Sequence, residues 1–249
     1  MDIDVQNFTV AHLRRRADAV ETAGFVLGFD PTTTSPYVNY ATPLPGATPT
    51  AADVRALIAG FRERGLVPRL EYVPDAAPEA AAALAAAGFT PEAEHTYLVC
   101  TRDTLVLPSG PAVEAPTGED DYLALDATLA EAFSGEFQSS PEGAERLRRT
   151  EEDGGAVRFV RAEDGTVAGG ALCSASAVRT AELAGVGTRP AHRGRGIAAA
   201  VTAELARVLL HERGADSVWL EYGGEGSRRV YERVGFRPRG TRRYIRLDA

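Results

Sequence analysis

Residues 186–201 read VGTRPAHRGRGIAAAV, and the spacing of glycine and arginine there points to a specific chemistry. Gly194 and Gly196 alternate with Arg193 and Arg195 immediately before a helix-forming run that opens with Ile197 and Ala198. Glycines in such a turn let successive backbone N–H groups point into one concave site. A helix beginning at Ile197 adds its unpaired N–H groups and its positive dipole end. The two arginines add charge. Together these groups suit an anion, most naturally a pyrophosphate.

Two other phosphate motifs are excluded by the residues themselves. All 27 cationic residues are arginine, so there is neither a Walker lysine nor a lysine nucleophile. A dinucleotide-binding fingerprint starting at Gly185 would need glycine at position 190, where Pro190 stands.

The flanking elements must hold this loop in place. A helix is predicted from Glu119 through Phe133, with Leu123, Ala127 and Ala130 on one face, and a second from Pro141 to Glu152. VRFVRA (157–162) and TVAGGALCSA (166–175) around Glu163-Asp164-Gly165 read as a hairpin, and TAELAGVGT (180–188) as the strand entering the loop. The helix leaving it runs through Arg213, with Ile197, Val201, Leu205 and Val208 at helical spacing. SVWLEY, SRRVYERV and TRRYIRL then read as strand, helix and closing strand.

Part of this pattern occurs twice. LEY at 70–72 and 220–222 follows a glycine helix stop, Gly65 or Gly214, and is followed by a helix ending in Gly88-Phe89 or Gly235-Phe236. The Pro- and Gly-rich stretch 107–120 separates the two copies and places a boundary near Pro111, giving domains 1–110 and 111–249. In the first copy, the segment matching the loop is ATPLPGATPT around Gly46, which has three prolines and no arginine. Proline removes amides that a pyrophosphate would need.

Bulk properties narrow the function. A formal net charge of −8 argues against nucleic acid or an anionic membrane as partner. No apolar run is long enough to span a bilayer, and the acidic start MDIDVQNFTV does not resemble a signal peptide. Cys100 and Cys173 lack framework spacing and read as reduced thiols in the cytoplasm. His12, His95, His192 and His211 show no metal-ligand spacing, so no metal is expected.

Arg193-Gly194-Arg195-Gly196-Ile197-Ala198 resembles the Arg/Gln-x-x-Gly-x-Gly/Ala motif of the GNAT acetyltransferase superfamily. The element order of residues 112–249 is similar to that fold as well. The resemblance implies an α/β (α+β) architecture: a central mixed, mostly antiparallel sheet flanked by helices, with a partial second GNAT-like unit in the first half. It implies acetyl-CoA as cosubstrate and a primary amine as acceptor, with acetyl transferred by direct attack. A non-catalytic acyl-CoA-binding regulatory protein is the alternative.

Carried onto this sequence, Val186, Gly187 and Thr188 would pair with the pantetheine arm, and the Val186 amide would polarise the acetyl carbonyl. The amides of Arg193, Gly194, Arg195, Gly196, Ile197 and Ala198 would hold the pyrophosphate. Tyr231, four residues before Gly235, takes the place of the acid that protonates the departing thiolate, and Leu84 stands at the matching place in the first copy. Glu182, four residues before Val186, takes the place of a general base. Gly224 stands where many members carry an asparagine that touches the cofactor arm, so this chain lacks the side chain for that contact. The acidic balance mildly favours a cationic amine as acceptor. A homodimer is the default closed assembly.

Overall fold

In chain order, the computed structural model, which describes residues 2–135 and 138–248, runs α1 (Asp2–Arg14), β1 (Asp18–Thr22), β2 (Phe25–Phe29), β3 (Tyr40–Pro43), α2 (Ala51–Arg62), β4 (Arg69–Tyr72), α3 (Pro78–Ala86) and β5 (Thr90–Thr101). It continues through α4 (Glu119–Ala132), α5 (Pro141–Glu152), β6 (Ala156–Arg161), β7 (Val167–Cys173), β8 (Thr180–Thr188), α6 (Ile197–Arg207), β9 (Ser217–Glu221), α7 (Glu225–Val234) and β10 (Arg237–Arg246). The architecture is mixed α/β with mostly antiparallel strands flanked by helices. Two compact units divide it: Met1–Tyr97 with Arg239–Ala249, and Leu98–Pro238. Sequence reading assigns the closing strand to 111–249, whereas Arg239–Ala249 packs with the first unit. Strand edges carry the same N–H and C=O pattern whatever their side chains, so local sequence does not select the neighbour.

In the first unit the strand order is β1-β2-β3-β4-β10-β5. β2 reads FVLGF and is buried throughout because both of its faces are covered. Phe25, Leu27 and Phe29 pack with Leu57, Phe61 and Leu84 of α2 and α3, while Val26 meets Val10 and Leu13 of α1. β3 and β4 run parallel and pair only at Ala41 with Leu70. β10 pairs antiparallel with β4, Arg243 opposite Tyr72.

In the second unit the order is β6-β7-β8-β9, with β5 next to β9. Leu125 and Leu129 of α4 and Leu147 of α5 cover one face against Val157, Phe159 and Val167. Ile197, Val201 and Leu205 of α6 cover the other against Val160, Ala168 and Leu183. α6 gives way to a π-helical turn at Val208–Glu212, where the apolar spacing predicts an uninterrupted helix. β8 and β9 are parallel and pair only from Thr180–Ser217 to Glu182–Trp219.

The repeat is visible in the helix stops. Gly88 and Gly235 both take positive φ, +92° and +104°, in the turn ending α3 and α7. At Gly235 a β-carbon would also overlap the Thr104 carbonyl, so glycine is required there twice over. The apolar residues that follow, Phe89 and Phe236, are buried.

Candidate functional site

The site is built around the end of β8. β9 leaves β8 after Glu182, and β8 continues to Thr188 without pairing β9. Its pairing with β7 is also interrupted: Leu172 faces Ala184 and Gly170 faces Gly187, so Ala171 stands opposite both Gly185 and Val186. Gly185 has φ +63°, the left-handed residue that such a bulge needs. Glycine inside a predicted strand is a sequence signal for such a bulge. Val186 therefore lies in the bulge, beyond the last pair with β9. The Thr188 hydroxyl is buried with no hydrogen-bond partner among the described residues, which is uncommon in a closed core.

Gly187 faces α4. A β-carbon there would press on Leu129, Ala132 and Phe133. The missing side chain lets α4 sit directly on the strand that leads into the loop.

Beyond Thr188, a short 3₁₀ turn at Pro190–His192 brings the chain to the loop. The Arg193 amide donates to the Pro190 carbonyl at 3.4 Å, so the loop's open donors begin at Gly194. Gly194 and Gly196 have φ of +79° and +78°, which only glycine adopts easily. Gly196 is the N-cap of α6 and provides no side-chain cap, and α6 has no acid in its first turn. Among the described residues, the amides of Gly194, Arg195, Gly196, Ile197 and Ala198 donate to no other group. A helix N-terminus with free amides and no acid in its own first turn fits an anion. A pocket of about 460 Å³ opens beside it, with Arg195, His192, Glu163 and Asp164 among its lining residues.

The two loop arginines are placed differently. Arg193 donates from Nε to the Thr188 carbonyl (3.2 Å) and from Nη2 to the Ala132 carbonyl at the end of α4 (3.1 Å). Arg195 is exposed and donates to Ala191 within its own loop (3.3 Å). Arg189, which sequence reading did not single out, pairs with Glu131 on the last turn of α4 at 3.3 Å.

Tyr231 lies on the inner face of α7, 6 % exposed, in the same core cluster that Val186 packs against. Burial pushes its phenol up to about 12, so it holds its proton throughout the neutral range. Its hydroxyl makes no hydrogen bond to a described residue and is not fully enclosed. Glu182 is half-buried at the last β8–β9 pair, where its N–H donates to Ser174 Oγ (3.0 Å). Burial first, and then the nearby Glu182 carboxylate, raise the Cys173 thiol well above its ordinary range, which makes that cysteine a packing residue rather than a nucleophile. Added β-carbons at Gly223 and Gly224 would meet nothing, so the start of α7 is open at the place where the sequence lacks a cofactor-touching asparagine.

A family model for the acetyltransferase (GNAT) family matches residues 123–236, from α4 to the buried Phe236. Residues 123–236 belong to the GNAT family. Solved GNAT structures share the fold of the whole chain. A GCN5-related N-acetyltransferase from Kribbella flavida has a TM-score of 0.84 at 23 % identity, covering 100 % of this chain and 96 % of that one. A second, from Sphaerobacter thermophilus, has a TM-score of 0.63 at 19 % identity, covering 90 % and 80 %. A tandem GNAT protein from the clavulanic acid biosynthesis pathway has a TM-score of 0.61 at 14 % identity, covering 90 % and 78 %. No curated protein matches in sequence. GNAT enzymes are acyltransferases that take acetyl-CoA as cosubstrate, and the free amides, the bulged strand and the orphan Thr188 hydroxyl fit such a ligand. Among the described residues, no three His, Cys, Asp or Glu side chains cluster as a metal site. No described helix is long and apolar enough to cross a membrane.

Proposed function

We propose that the chain is an N-acetyltransferase that transfers acetyl from acetyl-CoA to a primary amine by direct attack. The observation that carries this reading is the continuity of an unpaired strand edge with a set of free amides. β8 beyond Glu182 runs into the open N–H groups of Gly194 to Ala198. Acetyl-CoA would supply an activated thioester. The chain's own groups have the other roles: Gly194, Arg195, Gly196, Ile197 and Ala198 hold the phosphates through their amides, with Arg193 shaping the loop. Val186, Gly187 and Thr188 align the pantetheine arm, and the Val186 amide donates to the acetyl oxygen. Tyr231 delivers a proton to the departing sulfur, and its raised pKa keeps that proton available at neutral pH. Glu182 accepts the proton of the incoming amine. The catalytic role belongs to the half that sequence reading bounds at 111–249, and the first half is a degenerate relative without a cofactor loop.

The test is thermal stability with and without acetyl-CoA, followed by release of free thiol across a panel of amines. At 100 times Kd, a ligand that binds only the folded state adds about 2.7 kcal/mol. Tyr231→Phe should keep that shift and lower turnover roughly 100-fold. A shift with no turnover of any amine would leave an acyl-CoA-binding protein. No shift with acetyl-CoA or CoA would end the enzyme reading.

A further inference from the structure

The two arginines of the loop are interchangeable by sequence but not by position. Arg193 is engaged by two main-chain carbonyls, Thr188 at the end of β8 and Ala132 at the end of α4. The other carbonyls of α4's last turn have local donors: Phe133 N–H to Leu129, Ser134 N–H to Glu131 and Gly135 N–H to Ala130. Arg193 therefore supplies the cap that the helix does not make for itself, at the end where its dipole favours a cation. The Arg189–Glu131 pair and the close seat of α4 on Gly187 tie the same two pieces together. Arg195 makes no such link. Among the described residues its one bond is to Ala191, inside the loop, and it lines the pocket beside the free amides.

We propose that Arg193 is a positioning residue that ties the phosphate-binding loop to the last turn of α4, and that Arg195 is the arginine side chain that meets the cofactor's phosphates. This rests on the acetyl-CoA reading above and deepens it. Ordering of the loop by ligand is then transmitted through Thr188 and Arg193 to α4, the helix covering the opposite face of β8 from α6.

The experiment combines CoA affinity with amide hydrogen exchange over residues 129–135, using wild type, Arg193→Ala, Arg193→Gln and Arg195→Ala. Arg195→Ala should weaken CoA about fivefold, the scale of an exposed charge pair, and leave exchange at 129–135 unchanged. Arg193→Ala should change CoA affinity by less than about twofold, because its guanidinium is already engaged by carbonyls. It should speed exchange at 133–135 in the free protein. CoA should protect 129–135 in wild type but not in Arg193→Ala, although both bind it. Arg193→Gln, which keeps a carbonyl donor without the charge, should restore part of that protection. Loss of CoA affinity in Arg193→Ala with unchanged exchange at α4 would overturn the proposal, as would equal protection by CoA in both proteins. If CoA does not bind wild type at all, the acetyl-CoA reading fails, while exchange in the free variants still judges the Arg193 clamp.

Discussion

β3 and β4 part after a single parallel pair, and in that gap lies the side chain of Gln6 from α1. Its Nε2 donates to Thr42 Oγ1 (2.8 Å) and the Pro43 carbonyl (2.6 Å), while its Oε1 accepts from the Val73 N–H (2.8 Å). Thr42 in turn donates to the Glu71 carbonyl at 2.8 Å. In the second unit, β8 and β9 part in the same way, but β8 runs on as an edge that does not pair β9. The helices after the two gaps differ in parallel. α2 has Thr50 as N-cap and Asp53 in a reciprocal capping box, so its first amides and its dipole are already answered. α6 has a bare glycine cap and no acid. One topology thus exists in two states. Where the backbone donors are satisfied from within, the gap is a packing joint, and where they are left open, it is the site proposed for the cofactor.

The largest effect on ligand binding expected from this contrast is at Gly194. A β-carbon there meets no protein atom, so bulk at this position collides with ligand, on a backbone whose φ of +79° also strains any side chain. Gly194→Val should weaken acetyl-CoA roughly 100-fold, equivalent to about 2.7 kcal/mol, measured by calorimetry. Gly46→Val in the first unit, also in open space, should leave affinity unchanged. Equal losses from the two would erase the distinction.

Next is Gln6→Leu, which leaves the buried Val73 N–H and Pro43 carbonyl without partners. It should cost about 2–4 kcal/mol in urea unfolding, with acetyl-CoA stoichiometry remaining one per chain. A rise to two would mean that Gln6 alone closes a working slot.

The units should also fail at opposite extremes of pH. His12, on the same helix as Gln6, is lowered to about 4 by burial first, then by Arg16, Arg15 and Arg242. Its folded pKa lies below the ordinary 6.5, so the stability it gives is present above pH 6.5 and is lost as pH falls toward 4, on the order of 3 kcal/mol. Tyr231 in the second unit is raised above its ordinary 10, so its contribution is present below pH 10 and lost as pH climbs toward 12. Trp219, the lone tryptophan, is buried in the second unit and reports on that unit by fluorescence. It should respond early in alkali and late in acid, and the reverse order would break the assignment.

The smallest effect concerns hairpin turns. The first unit turns between β1 and β2 with Gly24 at φ +86°, whereas the second places Val178 and Arg179 at +45° and +63° between β7 and β8. A β-branched residue is strained there. Val178→Asn should therefore add about 1 kcal/mol to thermal stability.

The glycine- and arginine-rich loop, the strand–loop–helix around it and the repeat of LEY and Gly-Phe were legible in the sequence because each is set by neighbours a few residues apart. Glycine spacing fixes where amides can converge, and a helical period fixes which face is apolar. The same local reasoning explains what was missed. Arg193 reads as a phosphate ligand from its motif, yet its guanidinium goes to Ala132, 61 positions away. Gln6 is an ordinary polar residue near the start of a helix, and its meaning depends on Thr42 and Val73. The Val186 bulge was missed: residues 180–188 read as a continuous strand, and which β7 residues the bulge faces is set by the pairing of β8 with β7.

By itself the sequence determined that one half carries the glycines and arginines of an anion cradle and the other has prolines in their place, since these residues act on their own backbone. Only the tertiary structure decided which gap is filled, which arginine reaches α4 and where the last strand pairs. Those outcomes depend on hydrogen-bond donors and acceptors that are identical in type along the whole chain, and only folding chooses which of them meet.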